Sequence, residues 1–162
     1  MCHECSIGKR RLNHANAILA EHQPDLPFAA SFFPFMLDPD MPGEGADRAR
    51  HRAAEPNQQR AVIAATFRAY FNKGRGIGDA AVLSDIGAAN ERDRDATLTR
   101  LRSDEAVDGV RALAASASRS GVTGVPSCVR DRHLLFSGAQ PSETMAVARV
   151  PAARHPAIAL AI

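Results

Sequence analysis

The sequence predicts an α/β fold, and three observations carry that prediction. An aromatic and apolar run, "FAASFFPFML" at Phe28–Leu37, is bounded by Pro27 and Pro39 and reads as a strand, with Pro34 marking an edge or a bulge. A second stretch, from Pro126 onward, reads as two short strands joined in a hairpin and followed by a helix. Between them, residues from Ala46 to Arg119 are helical in character.

Taken in order, Ile7, Leu12, Ala15, Ile18 and Leu19 recur at helical spacing until Pro24, which predicts a helix over about 6–21. The opening "CHEC" therefore stands at a helix N-terminus. "DPDMPGEG" is a loop. Ile63, Phe67, Tyr70 and Phe71 give one apolar face to a helix over about 58–72, closed by "NKGRGIGD"; Tyr70 and Phe71 are read as core. Asp79 caps the next helix, on which Val82, Leu83 and Ile86 form the buried side. Two more helices break near Ser103, whose side chain is placed to cap the second; Val107, Val110, Leu113, Ala114 and Ala117 face inward, and Gly121 ends it. Pro126 to Val129 is a strand, "RDRH" a turn, Leu134 to Phe136 a second strand, and "PSETMAVAR" starts the last helix. Residues 150–162 are rich in Ala and Pro with little pattern, and a loosely attached tail is expected there.

A chain of 162 residues has room for one domain with a real core and needs no disulfides to hold it. Its net charge of +2 favours neither nucleic acid nor a membrane surface as partner. Three cysteines, Cys2, Cys5 and Cys128, are too sparse for a secreted disulfide scaffold, and no run approaches the ~18 apolar residues of a membrane span. A soluble protein of a reducing, cytoplasmic compartment is the expectation.

A thiolate is the reactive form of cysteine, and the partial positive charge of a helix N-terminus stabilises it. Cys2 is then the attacking thiol and Cys5, one turn inward, the resolving thiol. His3 and Glu4 between them tune the pair in opposite senses, His3 favouring a Cys2 thiolate when protonated and Glu4 opposing it. Zinc is the rival reading, with Cys2, His3, Cys5 and His14 as possible ligands, but a second paired cluster is missing; incidental cysteines are the third. The motif taken alone leaves all three open.

Four stretches in order carry a resemblance. "CxxC-S-IGKRRL", "PFMLDPDMPGEG", "FRAYFNKGRGIGD" with "VLSDIG", and "GVTGVPSCV" with "SGAQP" resemble the FrnE-like branch of the DsbA family of thioredoxin-fold oxidoreductases, over about Cys2 to Arg149. The resemblance implies a thioredoxin-like fold with a helical insertion at about 44–119, forming a single domain over 1–150 with the tail at 151–162. It implies CxxC on the first helix and a cis-proline loop facing it. Cys2 and Cys5 match the family's redox pair, Pro126 its cis-proline, and Val125 the preceding residue, whose backbone pairs with an extended substrate. The implied activity is that of a protein disulfide oxidoreductase without a cofactor or metal, acting on a thiol- or disulfide-containing protein or a small thiol such as glutathione. The related 2-hydroxychromene-2-carboxylate isomerases and kappa-class glutathione transferases share the scaffold but carry serine at the attacking position. A glutathione-dependent isomerase or transferase is the enzyme alternative, and a non-catalytic remnant the other.

The sequence departs from that family in three places. Only Met1 precedes Cys2, where relatives have a central strand, so the expected sheet lacks its first strand. The insertion is contracted, which implies a more open substrate groove. The dipeptide is His3-Glu4 where Pro-Trp is common, and Cys128 follows Pro126 by two residues, either as an additional resolving thiol or as a buried small hydrophobe. Lys9, Arg10 and Arg11 are read as a solvated helix face, His14 as partly exposed, and Gln140 as a turn residue.

Overall fold

A computed structural model describes residues 1–25, 30–35, 56–104, 107–130, 133–149 and 158–161. In chain order the elements are α1 (His3–His22), β1 (Ala30–Phe33), α2 (Pro56–Lys73), α3 (Ala80–Ala88), α4 (Arg94–Arg102), α5 (Val107–Arg119), β2 (Ser127–Arg130), β3 (His133–Ser137), α6 (Ser142–Arg149) and β4 (Ile158–Ala161). The chain divides into two compact units, one of Met1 with 36–114 and one of 2–35 with 115–162. The "DPDMPGEG" loop and the middle of the "RDRH" turn lie outside the described residues.

The second unit holds the sheet, in the order β1-β4-β2-β3. β1 stops before Pro34, which has no N–H to give to a ladder; Ala30 and Phe32 are buried and Ser31 between them is exposed. β2 and β3 form the expected antiparallel hairpin, pairing Ser127 with Ser137 and Arg130 with His133, with an irregularity between Cys128 and Val129. α1 buries Cys5, Leu12, Ala15 and Leu19 at intervals of three to seven residues and packs against α6, which buries Met145 and Ala146. A separate cluster joins Ala117, Val122 and Val129, with Phe33, Phe35 and Val125 against it.

The stretch read as a loosely attached tail supplies an inner strand. β4 runs parallel to β1, with Ala30 opposite Ile158 and Phe33 opposite Ala161, and antiparallel to β2, with Ser127 opposite Ala161 and Val129 opposite Ala159. β1 and β2 would each carry a row of unpaired N–H and C=O groups without it, and an unpaired buried backbone group is costly. β4 thus occupies a central place in the sheet, between β1 and β2. The run "AIALAI" after Pro156 was the available signal, a short apolar segment of strand length.

The first unit is helical. Val62, Ala69, Ile77, Leu83, Ile86 and Leu101 form its core, with Ala65, Tyr70, Ala80 and Val82 packed against them. Phe71, read as core, is 38 % exposed: the buried residues of α2 include Gln59, Val62, Thr66, Phe67 and Ala69, and Phe71 lies to one side of them, stacked with Phe67 and edge-on to Tyr70. Asp79 caps α3, accepting the Ala81 N–H at 2.8 Å, and Asp93 caps α4 through the Ala96 N–H at 2.6 Å. Ser103 is the C-cap of α4. Its hydroxyl donates back to the Arg100 carbonyl at 3.0 Å, and residues 105–106, directly ahead of α5, lie outside the described ones. Asp85 accepts from Arg94 at 2.8 Å and Arg75 at 3.3 Å, and the Arg94 hydrogen bond above all holds its carboxyl below the usual carboxylate range. No helix among the described residues is long and apolar enough to cross a membrane.

Candidate functional site

α1 starts three residues ahead of the expected position because a cysteine caps it. Cys2 is the N-cap, in extended conformation at φ −82° and ψ 123°, and its sulfur accepts the Cys5 N–H at 3.4 Å. Sulfur here does what a serine or aspartate oxygen does at other helix starts, meeting one of the amides that the first turn leaves without a carbonyl. Glu4 in the first turn adds a favourable charge for the helix dipole.

The two thiols differ in environment. Cys2 is partly exposed, whereas Cys5 is 1 % exposed. Burial pushes the Cys5 thiol far above its ordinary range; the hydrogen bond with Cys2, the charge of Cys2 and then the charge of Glu4 push in the same direction. Cys5 is therefore held as a neutral thiol in the reduced protein. Glu4 acts on Cys5 here, and both His3 and Glu4 are solvent-exposed.

Facing Cys2 is the loop that enters β2. The Val125–Pro126 peptide is cis. Three successive carbonyls of this loop each take one donor: Gly124 from the Ser127 hydroxyl at 2.7 Å, Val125 from the Cys2 thiol at 3.8 Å, and Pro126 from the Gly138 N–H at 2.8 Å. Gly138 gives its amide from a backbone at φ +78°, where a side chain is disfavoured. The Ser127 hydroxyl also meets the Ser137 hydroxyl across the β2–β3 pair at 3.0 Å. Ser127 has one proton and spends it on Gly124, so Ser137 is the donor in that contact.

Pro126 is buried against α1 one turn beyond Cys5. A Cβ built on Gly8 would lie 2.7 Å from Pro126 Cγ and 3.2 Å from its Cβ, so only a glycine lets ring and helix approach this closely. Beside it, Arg11 donates to the Ala139 carbonyl, and Gln140 closes its turn by donating to the Ser137 carbonyl at 2.8 Å. Arg10 and Arg11 are on the exposed face of α1 as expected, but Lys9 is 6 % exposed, because it follows Cys5 by one helical turn on the inward side.

The structure thus brings together Cys2, Cys5, Val125 and Pro126, all within one compact unit. Cys128 is fully buried on β2, opposite Phe136 and Leu160 in register. Among the described residues no group of three or more His, Cys, Asp or Glu side chains is placed to hold a metal ion. Gly8, Ser127 and Gly138 were not singled out from the sequence, and of these only Gly8 left a signal: a glycine inside a helical run costs ~1 kcal/mol against alanine, which marks a close approach.

No curated protein matches the chain. The family model of the DSBA-like thioredoxin domain matches residues 30–148, from the first residue of β1 into the last turn of α6. Cys2 and Cys5 precede that span, and Val125, Pro126, Ser127 and Gly138 fall inside it. With well over half of its length in that match, and with helices and a small sheet carrying a loop at Val125–Pro126, the chain belongs to the DSBA-like thioredoxin domain family.

Proposed function

We propose that the protein is a thiol–disulfide oxidoreductase of the FrnE-like kind, in a family that generally includes oxidoreductases and isomerases. The observation that carries this reading is the asymmetry of the two thiols: a partly exposed sulfur at the tip of α1, and a buried neutral thiol one turn behind it. In the reducing direction, the Cys2 sulfur loses its proton to solvent and attacks one sulfur of a substrate disulfide. The substrate S–S bond breaks and its other sulfur leaves as a thiolate. Cys5 then gives up its proton and attacks the Cys2 sulfur, releasing the second substrate thiol and leaving a Cys2–Cys5 disulfide. The substrate is reduced by two electrons and the dithiol oxidised by two; the reverse sequence oxidises a substrate dithiol.

Val125 and Pro126 form the rim on which an extended substrate backbone pairs beside Cys2, and His3 and Glu4 tune the pair from the exposed first turn. Partners are a thiol- or disulfide-containing protein or a small thiol such as glutathione, with no further cofactor, in the reducing conditions of the cytoplasm.

The test is a pair of variants assayed for reduction of a peptide disulfide with glutathione as reductant. Cys2→Ser is expected to fall to background, and Cys5→Ser to accumulate a mixed disulfide on Cys2. Wild-type turnover in Cys2→Ser would sink the reading. Turnover retained in Cys5→Ser without a trapped adduct would show that glutathione, and not Cys5, resolves the adduct on Cys2.

A further inference from the structure

Ser127 is buried to 1 % at the first position of β2, and nothing in the proposed chemistry uses its hydroxyl. It is nevertheless the hub of the loop that faces Cys2. Its proton goes to the Gly124 carbonyl, its lone pair receives the Ser137 proton, and the next carbonyl along, Val125, receives the Cys2 thiol. On the other side, the Pro126 carbonyl is fixed by the Gly138 amide and the Pro126 ring by α1 at Gly8. The Val125 carbonyl is thus clamped from both flanking residues, and the Ser127 side chain provides the clamp on the Gly124 side.

We infer that Ser127 is a positioning residue, acting through Gly124 to hold the Val125 carbonyl against the Cys2 thiol. The inference deepens the reading of Cys2 as the attacking thiol and rests on it for its functional meaning. In the reduced protein the Cys2 proton points at Val125; when that proton leaves or Cys2 enters a disulfide, the thiol donor is gone and the Val125 carbonyl becomes available to a substrate amide. Ser127 keeps the carbonyl in place through that exchange. A hydroxyl is required, and threonine supplies one in the same position, whereas alanine and valine do not.

The experiment measures the rate at which iodoacetamide alkylates Cys2 in the fully reduced protein, located by peptide mass, and beside it KM and kcat for a peptide disulfide. Ser127→Ala is expected to alkylate ~3- to 10-fold faster, the range of one modest hydrogen bond, because the sulfur no longer gives up a held partner. It is also expected to raise KM several-fold with kcat little changed, while Ser127→Thr restores both. Should Ser127→Ala not fold, Ser127→Val against Ser127→Thr carries the same comparison, since these two match in shape and differ in the hydroxyl. Alkylation unchanged in the variants lacking the hydroxyl, or altered equally in Ser127→Thr, overturns the proposal. Faster alkylation in a protein whose wild type reduces no disulfide would uphold the positioning and overturn the oxidoreductase reading alone.

Discussion

The ring of Pro126 sits so close to Gly8 that a methyl group on α1 at that point would lie 2.7 Å from the ring. The contact locks the first helix to the loop preceding β2, and so fixes the distance between the sulfur at the helix tip and the carbonyl of Val125. A proline ring is a rigid neighbour, so an added methyl must move the backbone of the loop or of the helix.

Gly8→Ala is therefore expected to destabilise the protein by ~1–3 kcal/mol through overpacking, even though alanine gains up to ~1 kcal/mol in helix propensity. Urea denaturation reads this as a lower midpoint at unchanged slope. A higher midpoint would show that helix and loop are not in contact at Gly8.

Burial raises the Cys5 thiol far above its ordinary value of 9.0, and that has a pH consequence. The group is neutral in the folded protein at pH values where it ionises in the unfolded chain. Its stabilising contribution is whole below the unfolded value and is lost as pH rises above it, because the unfolded state then binds fewer protons than the native state. Between about pH 9 and 11, wild type is expected to lose stability faster than Cys5→Ala, by up to ~1.4 kcal/mol per pH unit for one proton. Parallel stability curves for the two proteins would contradict a buried neutral Cys5.

β4 has a partner on each side, pairing with β1 along Ile158–Ala161 and with β2 along Ala159–Ala161, so Ala159 lies within both ladders. Ala159→Pro removes a backbone N–H at the centre of the sheet and is expected to cost ~3 kcal/mol or more, with deletion of 156–162 abolishing cooperative unfolding of the sheet unit. A deletion variant with wild-type circular dichroism and wild-type unfolding would refute the inner position of β4.

Much of the fold was legible because local signals and tertiary packing agreed. The helical face of Leu12, Ala15 and Leu19, the Asp79 cap and the strand–turn–strand around "RDRH" all depend on spacing or on one side chain close in sequence. The errors fall where distant parts of the chain decide. Lys9 looks like part of a basic, solvated cluster, yet its position one turn after Cys5 carries it inward. The strand at Ile158–Ala161 has only the short apolar run "AIALAI" to mark it, and its place is set by β1 and β2, which are distant in sequence.

The candidate site divides in the same way. Cys2 and Cys5 announce themselves as a spaced pair at a helix start, and Val125–Pro126 through the likeness of "GVP" followed by "SGAQP". The clamp joins Ser127 to Ser137 and Pro126 to Gly138, 10 and 12 positions apart, and Ser127 to Gly124 close by, through hydroxyl and amide contacts that common residue types give no hint of.

The proposed function stands or falls on Cys2 and Cys5 forming one redox couple. Its most direct test is to equilibrate the purified chain with graded ratios of reduced and oxidised glutathione, quench with an alkylating reagent, and read the mass of the protein and of its peptides. A single transition is expected in which the protein loses two hydrogens, with the disulfide mapped to Cys2 and Cys5 and Cys128 left as a thiol. Separate glutathione adducts on Cys2 and Cys5 with no bond between them, or a disulfide that maps to Cys128, would contradict it.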